Sequence, residues 1–347
     1  MTERKTIKRN SSIELLRIIA VLMIIAVHYL GPGGGILSRP FSLSFNASVA
    51  KIAESLAIGG VNLFVLITGY FSIDQKGINA KRLLGIIILV AFWGMLLFFH
   101  TLAIGTPFSF IGLLQSLFPY LFGSMWYIRV YLILMLLSPF LNVLINALNE
   151  KSFKAYVIII LILFSLLPSF VKAFENTNGY DIIHFVLLYS IGAYIRNGTR
   201  ALPSKAVCLI AYFFFAAITT LFSIFGNGIK YWGYDFISSV LSSVALFSFF
   251  VQIDFYSAFI NTIAKTVLGI YILNISFPFL YTKFIIREAY FDSKLFIVHF
   301  LLSVVGFFLV ACILELVRIA LFSVTVDKLM NRSTYLSKRY LSDITNS

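Results

Sequence analysis

The chain has 347 residues, of which 60% are hydrophobic and only 12% charged, with a mean hydropathy of +0.96. Soluble domains carry roughly a quarter charged residues, so this composition excludes a soluble fold and indicates a polytopic membrane protein. The net charge of +13 does not imply a nucleic-acid partner, because the basic residues are scattered through loops rather than gathered on one face.

Apolar runs of about 20 residues predict ten spans, near 13–30, 52–73, 83–104, 125–147, 155–171, 182–195, 206–224, 235–251, 266–282 and 296–320. With the N-terminus inside, 18 lysines and arginines fall in cytoplasmic segments and seven outside, while Arg17 and Arg129 lie within spans. The positive-inside rule then sets both termini in the cytoplasm. The fold class is an all-α integral membrane bundle. Residues 1–12 form a basic cytoplasmic N-terminus, 13–324 the membrane domain and 325–347 a polar cytoplasmic tail too short for a core of its own. The first span is expected to stay attached, since it is too long for a signal-peptide core and no small-x-small site follows it. Cys208 and Cys312 both fall inside spans and share no metal or redox spacing.

The first span carries Glu14, Arg17 and His28. At about 100° per residue, the eleven steps from Arg17 to His28 bring both onto one face, about 16.5 Å apart along the axis. Ionisable residues inside a span are costly and mark substrate paths or reaction centres. The alternative is that Arg17 snorkels to the headgroups and His28 is interfacial. In the second span, Gly59, Gly60 and Gly69 allow close helix approach, and Asn62 and Thr68 can bond across helices.

The fourth span opens with Trp126, Tyr127, Arg129 and Tyr131. The aromatics suit an outer interfacial belt, and the Arg129 guanidinium offers a fork of donors. In the ninth span Asn274 should face the bundle interior. His100, His184 and His299 lie near predicted outer span ends and read as interfacial. Glu315 and Arg318, at i and i+3, read as a local ion pair.

In this order the segments resemble the membrane-bound acyltransferase-3 family, over Ile13 to about Ser276. Glu14, Arg17 and His28 match the family's acidic–Arg–His signature, with Glu in place of the usual Asp. Gly60-Val61-Asn62-Leu63-Phe64 through Thr68-Gly69-Tyr70 matches its second element. Trp126 through Tyr131, with Pro139, resembles its third. Asn274 departs from the family's histidine after Tyr271-Ile272-Leu273. An amide cannot transfer protons, so substitution of Asn274 is expected to leave substantial activity. The resemblance is to the stand-alone type, without an extracytoplasmic esterase-like domain.

The resemblance implies an O-acyltransferase of the plasma membrane. It would move an acyl group, acetyl in the first instance, from cytoplasmic acyl-CoA to a sugar hydroxyl of a surface polysaccharide or a lipid-linked saccharide. No permanently bound cofactor is implied; acetyl-CoA is a substrate, and polysaccharide-synthesis proteins and membrane lipid are the implied partners. Arg17 would hold a donor phosphate or carbonyl. His28, whose ordinary pKa is about 6.5, would act as general base. Glu14 would orient Arg17. Asn62, Trp126 and Arg129 are candidates for acceptor or oxyanion contacts, and Asn274 for substrate contact. The rival reading is a non-enzymatic flippase or carrier for a lipid-linked saccharide, with Arg17 and His28 lining its path.

Overall fold

The computed structural model describes residues 10–31, 37, 44–123, 125–174, 177–198, 202–226, 228–276, 285 and 287–345, with side chains for all but 228–229 and 323–345. The basic residues at 4, 5, 8 and 9, and the outer end of the predicted ninth span (277–282), lie outside the described residues. So do Arg39, Arg200 and Lys283. Among the described residues the fold is all helix, without strands. Nine helical stretches among the described residues are long and apolar enough to cross a membrane, and Ile182–Asn197 is a shorter apolar helix. Together they correspond to the ten predicted spans.

The first helix, α1 (Ser11–Leu30), begins where the Asn10 side chain accepts a bond from the Ser12 backbone N–H at 2.8 Å. It stops at Gly31, whose φ of 51° is left-handed backbone that favours glycine. Its start is tied to the far end of the chain: the Ser11 backbone N–H donates to Phe255 and the Ser11 hydroxyl to Asn261. The helix is central. In its most apolar window 72% of residues are buried inside the protein, against 22% for Lys205–Phe225 and 28% for Phe296–Phe322. The polar face of α1 therefore meets protein, while the outer helices turn Phe213, Phe214, Leu302 and Ile313 outward.

The second span is broken into α2 (Phe45–Ala57) and α3 (Gly60–Ser72). A Cβ on Gly60 would stand 2.8 Å from the Ala20 carbonyl oxygen, so the break lies against the middle of α1. Gly69 of α3 and Gly192 of α9 (Ile182–Asn197) face one another's helices. A Cβ on the first would lie 2.1 Å from the Tyr189 carbonyl oxygen, and on the second 2.2 Å from that of Leu66. Without a hydrophobic driving force between helices in lipid, such backbone contact supplies the packing energy.

After α4 (Ala80–Ala103) the chain does not stay at the surface. The short α5 (Phe110–Leu117) folds back along α4, so closely that a Cβ on Gly94 would meet the Ser116 carbonyl at 1.8 Å. Gly94 lies nine residues before the end of α4, about 14 Å down the helix. The next helix, α6 (Trp126–Asn146), therefore starts within the bundle. This corrects the expectation of an outer aromatic belt for Tyr127 and Tyr131. Both are buried, and the Arg82 guanidinium, at the start of α4, donates to the Tyr131 hydroxyl.

The remaining helices are α7 (Glu150–Leu161) with its continuation α8 (Leu167–Phe170), then α10 (Lys205–Phe225) and α11 (Ile237–Val251). They are followed by α12 (Ala258–Ile263), α13 (Val267–Ser276), α14 (Arg287–Tyr290) and α15 (Phe296–Thr345). The polar tail continues α15 as one 50-residue helix. The ion pair expected within α15 is present: Arg318 grips Glu315 with bonds of 2.8 and 2.7 Å. Trp93 of α4 adds a third bond to the same carboxylate, at 3.1 Å, so the pair also ties α15 to α4.

Candidate active site

α1 presents Arg17 and His28 on one face, and the structure gives them different surroundings. Arg17 lies 3.7 Å from the Glu14 carboxylate one turn earlier, as the i, i+3 spacing predicts. It opens into a cavity of about 270 Å³. Two further cations, Arg82 of α4 and Lys265 at the start of α13, line the same space. Tyr127, Tyr131, Tyr271 and Thr68 supply its polar wall. Tyr131 is held at both sides of its hydroxyl. It accepts from Arg82 and lies 3.2 Å from the Thr68 hydroxyl, which itself donates to the Phe64 carbonyl at 2.8 Å. The rings of Tyr127 and Tyr131 stack at 5.6 Å. Among the described residues three cations and no acidic residue line the wall, a lining that suits an anion, with Glu14 beside one of the three.

Further along the face, His28 Nδ1 meets the side-chain oxygen of Asn274 in a short hydrogen bond. An amide oxygen is an acceptor only, so Nδ1 carries the proton. Nε2 is then the basic nitrogen, and no described residue bonds it. The Asn274 amide thus fixes the tautomer of His28, as the third member of a catalytic triad does for its histidine. The asparagine that departs from the family pattern is therefore itself the orienting partner of His28, a contact the sequence did not reveal. Behind the histidine, Arg287 Nη1 donates to the carbonyls of His28 at 2.8 Å and Tyr29 at 3.1 Å. A cation on the last carbonyls of a helix both satisfies them and suits the helix dipole.

The other expected residues divide. Trp126 joins an aromatic cluster, with ring centres 4.3 Å from Tyr180 and 5.4 Å from Tyr234. Asn62 is completely buried and its amide is committed at both ends: it donates to the Tyr234 carbonyl at 2.8 Å and faces His184 Nε2 at 3.0 Å. Arg129 is exposed on the opposite face of α6 from Tyr127 and Tyr131 and does not join this arrangement. His184, expected at an interface, is 1% exposed, because the Asp181 cap and Asn62 hold it inside. His299 is paired with the Tyr29 hydroxyl at 2.7 Å and stacked on Tyr290.

Sequence reasoning passed over Arg82, Lys265, Tyr271 and Arg287. The first two count in a sequence only toward topology. Tyr271 had a usable signal in its i, i+3 spacing to Asn274. Glu54 of α2 was also passed over. It is fully buried, and its carboxyl oxygens bond to none of the described residues.

A family profile described as an acyltransferase domain, that of the acyltransferase-3 proteins, matches residues 10–316. The chain belongs to the acyltransferase-3 family. That stretch runs from the cap of α1 into α15 and contains every residue of the site above. No curated protein and no solved structure matches the chain. The acyltransferase-3 assignment makes this protein a membrane acyltransferase.

Proposed function

We propose that this acyltransferase-3 protein transfers an acyl group, acetyl in the first instance, from cytoplasmic acyl-CoA to a sugar hydroxyl of a surface polysaccharide or lipid-linked saccharide. Its place would be the plasma membrane. The observation that carries the reading is the pairing of a three-cation cavity with a histidine whose Nε2 is left basic, on one face of one helix. The cavity is smaller than the roughly 300–1,000 Å³ pockets that enclose whole ligands. It suits part of the donor: phosphate oxygens at Arg17, Arg82 and Lys265, with the pantetheine arm running toward Tyr271.

His28 Nε2 takes the proton of the attacking sugar hydroxyl, and the oxygen adds to the thioester carbonyl. The imidazolium returns the proton to the departing CoA sulfur as the carbon–sulfur bond breaks. Glu14 keeps the Arg17 guanidinium in place, and Asn274 holds the imidazole. Trp126 and its tyrosine neighbours offer aromatic faces to a sugar's C–H edges. Asn62 acts at one remove, by fixing His184 and the Tyr234 backbone. Polysaccharide-synthesis proteins would supply the acceptor.

His28→Gln tests the reading against a carrier. It keeps the side chain's approximate size but removes proton acceptance, which typically costs 10²–10⁴-fold in rate. Cells carrying the variant at normal abundance should export polysaccharide in normal amount without its acyl groups. Normal O-acyl content would refute the base assignment. Normal O-acyl content with reduced polymer yield would indicate a carrier.

A further inference from the structure

We propose that the Tyr271 hydroxyl is the donor that holds the thioester carbonyl oxygen as it becomes an oxyanion. The assignment rests on the acyl-CoA reading of the site and adds to it the electrophilic partner that His28 lacks.

The order of residues along α13 carries the argument. Lys265 precedes the helix, Val267 and Leu268 line the cavity in its first turn, Tyr271 follows, and Asn274 stands one turn later against His28. Side chains three apart on a helix are neighbours, about 5–6 Å between Cβ atoms. Tyr271 therefore lines the anion-binding cavity one turn before the residue that holds the base. A donor with its phosphates among Arg17, Arg82 and Lys265 and its arm along α13 brings its thioester to Tyr271 just before His28.

The side chain is placed to act there. Tyr271 is 4% exposed, and its ring meets Tyr127 edge to face at 5.1 Å. Its hydroxyl is shut off from water and bonds to none of the described residues. A buried hydroxyl left unbonded is unusual enough to call for a partner. Two other polar groups of the wall are in use: Tyr131 holds Arg82 and Thr68, and Thr68 bonds the Phe64 carbonyl. A dry donor fixed where charge develops is the arrangement that stabilises an acyl-transfer transition state.

The step balances with the groups named. The sugar oxygen bonds to the carbonyl carbon and its proton passes to His28 Nε2. The carbonyl π electrons move to oxygen, where the Tyr271 O–H donates without giving up its proton. Those electrons then return, the carbon–sulfur bond breaks, and the sulfur leaves with the proton from His28.

The test uses full-length protein in nanodiscs with acetyl-CoA labelled at the carbonyl carbon. Isotope-edited infrared spectra should show the thioester C=O stretch of bound acetyl-CoA shifted below its value in water. Tyr271→Phe should abolish that shift and lower kcat for thioester cleavage about 100-fold or more, with the KM for acetyl-CoA within about twofold. A wild-type spectrum without the shift, or a Tyr271→Phe enzyme with wild-type kcat, overturns the proposal. A variant that loses activity only through KM overturns it too. Infrared on the wild type needs no variant, so a misfolded Phe variant does not block the test. If wild type binds and cleaves acetyl-CoA with the shifted stretch but acylates no saccharide, the acceptor reading fails and Tyr271 stands. If wild type binds no acetyl-CoA, the donor reading and the Tyr271 assignment fall together.

Discussion

Replacing Asn274 by alanine removes the acceptor that fixes the His28 ring. The Nδ1–H is then left in a buried site without its bond, and a buried donor deprived of its partner costs about 1–3 kcal/mol. If that cost falls on the orientation that chemistry requires, each ~1.4 kcal/mol is tenfold in rate. Asn274→Ala should therefore lower kcat about 10–100-fold, with the KM for the donor little changed. The loss should be smaller than that of His28→Gln, because the base survives and only its orientation suffers. Asn274→His, which restores the residue common in the family, offers a ring nitrogen as acceptor and should keep activity within a fewfold of wild type. Adding Asn274→Ala to His28→Gln should cost nothing further, since two residues of one unit do not add. The assay is acyl transfer by purified protein in proteoliposomes, with thermal unfolding as the control for folding. An Asn274→Ala enzyme with unchanged kcat would refute the tautomer argument and return Asn274 to a passive place in the bundle.

Arg82→Ala should raise the donor KM about tenfold or more through loss of an anion contact and of the bond to Tyr131, with Arg82→Lys partly restoring it, as read from acetyl-CoA titrations. An unchanged KM would remove Arg82 from the donor site. Gly69→Ala should lower thermal stability in detergent by the equivalent of about 1–3 kcal/mol, because the new Cβ would meet the Tyr189 backbone at 2.1 Å. A variant as stable as wild type would mean that α3 and α9 separate at no cost.

The sequence makes the bundle itself legible. Membrane spans announce themselves by length and apolarity, and the polar face of α1 follows from helical geometry alone. The re-entry of α5 was not legible, because Phe110–Leu117 is too short for a span and reads as loop. That one omission put Tyr127 and Tyr131 at the outer surface, where aromatics at a span end ordinarily belong. The contact between His28 and Asn274 crosses 246 positions, and no local pattern encodes such a meeting. Arg129 shows the opposite error: an intramembrane arginine draws attention by its type, yet its helix turns it away from the site.

The capping of α1 by Arg287 has a consequence for how the enzyme comes into being. The chain enters the membrane from its N-terminal end as it is made, so the helix bearing His28 is among the first parts inserted. The residues that orient that histidine and close its helix lie 246 and 259 positions later. A nascent chain halted before α13 would carry His28 without a fixed tautomer. On the proposed reading, competence for acyl transfer would thus arise only when synthesis is nearly complete, and ribosome-stalled or C-terminally truncated forms would not spend the donor on water.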